Sequence, residues 1–128
     1  MAFEAGLQTF PAESGELALS ASQYKFVQQS ATASKVLLVA TAGDRADGVL
    51  QDAPLAAGNA CLVAGGGITK VVAGMTLTPG QLIESDTSGR AVTAAAASTH
   101  HLLGRVVEGA TVGLLASIIL DYQGRNSP

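Results

Sequence analysis

The chain has no tryptophan, a single cysteine, and aromatic side chains at only 4% of its 128 residues. A core without large rings has to be assembled from Val, Leu, Ile and Ala, and 128 residues are enough for one domain with such a core. Charge is scarce too. Charged residues make up 13%, against about 25% in ordinary soluble domains. Either the surface is a neutral Ser/Thr-rich coat, or much of it lies against another chain. Basic clusters are missing: Lys25, Lys35, Arg45, Lys70, Arg90, Arg105 and Arg125 are scattered, and the net charge is −3. A nucleic-acid binder would show a basic stripe, so no nucleic-acid partner is expected. Long apolar runs are absent as well. "VGLLASIIL" (112–120) spans nine residues, about half of what a membrane helix needs. "MAFEAGLQTF" lacks the basic and apolar regions of a signal peptide. A soluble protein made in a cytoplasm, with no membrane partner, is expected. Cys61, alone in the apolar run "NACLVA", excludes an intramolecular disulfide and a thiolate metal cluster, and reads as an inert buried thiol.

What is present is strand and turn. Residues 1–22 differ from the rest: Glu4, Glu13 and Glu16 are their only charges, so this segment holds the whole net charge. Phe3, Leu7 and Phe10 are spaced apolar residues followed by Pro11. The segment reads as an extended arm ordered against a partner, or as a first edge strand of the domain itself. Strand signals then dominate: 24–30, 35–40, 49–52, 59–64, 68–73, 81–85, 90–94, 102–108 and 112–120. "DTSG" (86–89) fits a turn with Asp86 accepting backbone N–H bonds, and "GGG" (65–67) suits a tight reversal between two strands. Only "AVTAAAASTHHLLG" has helical composition, and a loop suits it equally. The expected fold is all-β: a small compact barrel or sandwich of Gly-punctuated hairpins with an extended N-terminal arm. Its parts are an arm at 1–22, a β-domain at 23–121 and a C-terminal tail at 122–128. Two internal echoes stand out. At an offset of 22, Gly58 matches Gly80 and Gly67 matches Gly89; separately, "GVLQDAPLAAG" (48–58) echoes "GRVVEGATVG" (104–113).

Catalytic signatures are missing. His100 and His101 are adjacent, so on a strand they point to opposite faces, and no acid or cysteine lies within four positions. "AGGGITK" fails the phosphate-loop spacing. "GDRADG" has too few oxygen ligands for calcium, and no G-x-S-x-G elbow occurs. The chain is not expected to be an enzyme, and no cofactor or metal is expected.

The run "GVLQDAPLAAGNACLVAGGGITKVVAGMTLTPGQLIESDTSGRAVTA", followed by "LLGRVVEGATVG" and "SIIL", resembles the capsid decoration (cement) proteins of tailed bacteriophages. The likeness lies in the ordered succession across about residues 35–120: a G-V-apolar segment with an acid, K-V-x-A-G, then the S-D-x-x-G-R-x-V unit. Arg105-Val106 departs from the small apolar pair usual there, and the His-His loop has no counterpart. The resemblance implies a homotrimer on the outer surface of a phage head, synthesised in the host cytoplasm. It would bridge major capsid proteins and stabilise the shell, with Phe3, Leu7, Phe10 and Pro11 as contact residues through strand addition. The alternatives are a tail or baseplate β-module, and a lipoyl- or biotinyl-type carrier, which needs a modifiable Lys at a hairpin tip.

Overall fold

The computed structural model describes residues 2–14, 21–31, 35–54, 58–95 and 100–125, the last four by backbone only. Among them there is no helix. Nine strands form one sheet: β1 (Ala5–Ser14), β2 (Phe26–Gln29), β3 (Lys35–Leu38), β4 (Gly48–Leu50), β5 (Ala60–Val72), β6 (Leu82–Ser85), β7 (Ala91–Thr93), β8 (His101–Glu108) and β9 (Leu115–Arg125). The hydrogen-bonded order is β1-β3-β2-β4-β5-β9-β8-β6-β7, and β1 also pairs with β5. The first five strands therefore close into a ring. The second half closes through one parallel bridge, Ala73 to Ala91, just beyond the end of β5. Two rings share β5.

The rings have the same connectivity. In the first, β2 pairs antiparallel with β3 and β4, β4 with β5, and β5 with β1, while β1 and β3 are parallel. In the second, β6 pairs antiparallel with β7 and β8, β8 with β9, and β9 with β5. The parallel closure between β5 and β7 takes the place of β1 and β3. Hydrogen bonds repeat at an offset of 56. Tyr24 N–H to Leu50 O becomes Gly80 N–H to Val106 O; Leu50 N–H to Lys25 O becomes Val106 N–H to Gln81 O; Lys25 N–H to Ser22 O becomes Gln81 N–H to Thr78 O. Tyr24, the one non-glycine described with positive φ (62°), occupies the position of Gly80 (φ 91°). The echo between 48–58 and 104–113 is the part of this duplication still visible in the side chains. Gly48 and Gly104 show why it survives. A Cβ on Gly48 would lie 2.4 Å from Ala64 O, and one on Gly104 would lie 2.0 Å from Ile119 O. At both places the following strand crosses too closely for a side chain.

The small core fills the first ring, with contributions from every strand: Ala12, Val27, Val36, Leu50, Cys61 and Val63. The larger core fills the second ring with Val71, Ile83, Ala91, Leu103, Val106, Ala116, Ile118 and Leu120. It also takes Phe26, Val49 and Ala64 from the opposite face of β2, β4 and β5. Neighbouring residues on these short strands thus serve different cores, as the two-residue side-chain period requires.

Two sequence expectations are corrected, and one open alternative is decided. The Gly65–Gly67 run does not reverse the chain; it lies inside β5. Opposite β1, Thr9 pairs with Ala64 and Gln8 with Gly66, leaving Gly65 as an extra residue. Such a bulge shifts the alternation by one, so Cys61 and Val63 enter the small core while Val71 and Ala73 enter the large one. Gly67 has φ +87°, and a Cβ there would meet Gly6 O at 2.2 Å. The offset-22 echo is therefore a likeness between a bulge and a turn, although all four of its glycines have positive φ. Secondly, residues 5–14 follow the strand reading: they are extended, but paired along β5 of their own chain. Thirdly, β9 passes the expected domain end at residue 121 and pairs His101 with Arg125 and Leu102 with Gly124. The "DTSG" turn forms as read: Asp86 Oδ1 accepts from Ser88 N–H at 2.8 Å and Arg90 N–H at 2.9 Å. Residues 15–20, which include Glu16, the alanine-rich 96–99 and the terminal 126–128 lie outside the described residues.

The closure of the first ring can be trapped. Ala12 and Cys61 face each other across β1 and β5, both buried. Ala12→Cys is expected to form a disulfide with Cys61 under oxidising conditions, seen as faster migration of a single chain on a non-reducing gel. Chain-entropy reasoning bounds the gain at about 4 kcal/mol. Oxidation will be slow at neutral pH, because burial, then the Asp52 and Glu13 carboxylates, push the Cys61 thiol pKa up. Gly104→Ala is expected to lose about 1–3 kcal/mol or more in urea unfolding, since the obstructing atom is backbone.

Candidate interaction surface

Among the described residues the exposed large apolar side chains are Phe3, Leu62, Met75, Leu82, Val112 and Leu114. Val112 and Leu114 sit in the β8–β9 turn, and Met75 lies just after β5, where its Sδ accepts from Thr93 N–H and Oγ1. Leu62 of β5 pairs with Pro11 of β1, so these two exposed residues are neighbours across the ladder.

The four arm residues divide by burial. Phe3 is exposed, and its N–H and C=O are both bonded to the Ser117 hydroxyl, which ties the chain start to β9. Pro11 is exposed on β1. Leu7 packs on the large core and Phe10 on the small one. Phe10 shares the inward face with Ala12. Leu7 lies within an irregularity of β1, where Ala5 pairs with Ile68 but Gln8 with Gly66. Two of the four side chains are thus committed to their own domain, and Phe3 and Pro11 face outward.

The histidine pair has a spatial partner that its sequence neighbourhood lacks. His101 opens β8. His100 Nδ1 lies 2.7 Å from Glu84 Oε2, and the other carboxylate oxygen of Glu84 accepts from Ala95 N–H. Glu84 is 3% exposed, so one buried carboxylate holds both ends of the 95–100 connection. The His100 ring lies directly over Gly43, where a Cβ would be 2.2 Å from the ring. Gly43 N–H donates to Ser85 O, and Gly43 O accepts from His101 N–H. The β3–β4 loop of the first ring is thereby latched to β6 and β8 of the second. The signal for this was Glu84 itself: an acid within the apolar alternation "LIES" needs a buried partner. Nothing local pointed to His100, sixteen residues away.

Elsewhere, Arg45 pairs with Asp47 at 2.9 Å and Arg90 with Asp86 at 2.8 Å, both with solvent access. Lys70 lies within β5, its Nζ 5.9 Å from the Tyr24 ring centroid, and not at the hairpin tip a carrier lysine requires. Among the described residues no three His, Cys, Asp or Glu side chains converge as a metal site, and no helix is long and apolar enough to cross a membrane.

These features define an all-β protein of two strand-sharing rings. That architecture has a solved counterpart. The chain is similar to the crystal structure of the N base of head fiber gp8.5 in bacteriophage phi29, with a TM-score of 0.69 and 20% identity, over 93% of this chain and 97% of that one. At this identity the likeness shows the fold. No protein-family model and no curated protein matches the sequence.

The latch is testable by stability. Both His100→Ala and Glu84→Ala are expected to lose about 1–3 kcal/mol, because each removes one partner of a largely buried pair. Urea midpoints of the two single variants and the double variant check this; the double is expected to cost less than the sum of the singles.

Proposed function

We propose that this chain is a structural protein of a tailed-phage head, seated on the outer surface of the shell as a homotrimer, where it bridges major capsid proteins and stabilises them. The observation that carries the reading is the likeness to the phi29 head-fiber base over nearly the full length of both chains. The ordered sequence succession across about residues 35–120, which resembles capsid decoration proteins, supports it independently. So does a composition with 13% charged residues, which suits a molecule that works by contact. The capsid contact runs through the N-terminal segment, with Phe3 and Pro11 as its outward residues and Leu62 beside Pro11. Leu7 and Phe10 hold that segment on the domain.

Purified protein mixed with undecorated phage heads is expected to co-sediment with them in saturable, stoichiometric amounts and to raise the temperature at which the heads release DNA. Absence of binding overturns the proposal; saturable binding to tails instead would favour a tail module. Phe3→Ala with Pro11→Ala is expected to weaken head binding by about fivefold or more, the effect of losing about 1 kcal/mol at an interface, with the urea midpoint little changed.

A further inference from the structure

We propose that the end of the second ring built from residues 73–80 and 109–114 is the face through which copies of this chain meet one another. The inference rests on the self-assembly proposed above and names the surface that performs it.

Two segments distant in sequence make this face. Ala73 N–H donates to Leu114 O at 2.9 Å, Gly113 N–H to Ala73 O at 2.8 Å, and Leu77 N–H to Ala110 O at 2.8 Å. Leu77 is 2% exposed and anchors the pair from below. Gly109 lies so close to Leu77 O that a Cβ would be 2.0 Å from it. The face is thus preformed, which lowers the ordering cost of association. On it stand Val112 and Leu114, 58% and 61% exposed, the most exposed large apolar side chains among the described residues, with Met75 at 40%. Thr76, Thr78 and Thr111 are exposed in the same two segments. Exposed apolar residues accompanied by neutral polar ones suit an association surface.

The occupant follows from charge. None of the residues 73–80 and 109–114 is ionisable. Behind Gly74, Asp86 and Arg90 pair with each other at 2.8 Å. Identical copies that meet near a rotation axis place identical side chains together, so any charge on the meeting face would face its own sign. This chain carries a net −3, yet here it presents no charge to repel a second copy. A charge-bearing partner would find nothing complementary to pair with.

The test is Val112→Glu with Leu114→Glu, studied by light scattering across a concentration series, with circular dichroism as the fold control and co-sedimentation with undecorated heads as a separate readout. The parent protein is expected to be oligomeric, and the variant to fall in mass by about threefold for a trimer with its spectrum and melting unchanged. A variant of parental mass overturns the inference, as does a parent that stays monomeric at every concentration. A variant that keeps its mass but loses head binding also overturns it and makes this face the capsid contact. If neither protein binds heads while the mass falls as expected, the head-protein reading fails and the self-association face stands.

Discussion

Everything in this molecule depends on β5. It is the last strand of one ring and the first of the next, so neither ring closes without it. The extra residue at Gly65 lets one strand do both. The bulge moves the buried face from one core to the other, where uninterrupted alternation would send Val71 and Ala73 away from the large core. Gly67 then permits β1 to cross at backbone contact. A glycine run that resembles punctuation is a joint inside a continuous element.

The shared strand also explains how a core without tryptophan is sufficient. β2, β4 and β5 give side chains to both cores, so Phe26 and Val27, or Val49 and Leu50, each contribute to a different one. Small and β-branched residues suit such thin double-sided layers, and among the described residues Phe26 is the single large ring that is fully buried. Where the rings meet, the Glu84–His100 contact and the Gly43 backbone bonds add a polar fastening. The outside is left sparsely charged, with its exposed apolar residues on the N-terminal segment and its neighbour Leu62, at the Leu82 end of β6, and at the β8–β9 end.

Much of the fold was legible. The strands from β2 to β4 and from β6 to β8 fall where apolar alternation and turn residues put them, and the "DTSG" corner forms as its Asp and Gly require. The echo between 48–58 and 104–113 was a true fragment of the duplication, kept because Gly48 and Gly104 meet the following strand's carbonyl oxygens. The duplication as a whole was not legible, since backbone pairing recurs at an offset of 56 while most side chains have diverged. Of the four candidate contacts, nothing in the sequence separated Phe3 and Pro11, which are exposed, from Leu7 and Phe10, which pack on the cores. Spacing marks an apolar residue as an anchor, but it does not say which chain supplies the pocket.

By itself, then, the sequence determined an all-β chain built from small apolar residues, with glycine corners and little charge, because these follow from local propensity and side-chain period. Only the tertiary structure decided that the glycine run bulges instead of turning, that the N-terminal segment closes its own ring, and that Glu84 finds His100. Each of these depends on which strand lies alongside, and long-range pairing leaves no periodic mark on the residues that accept it.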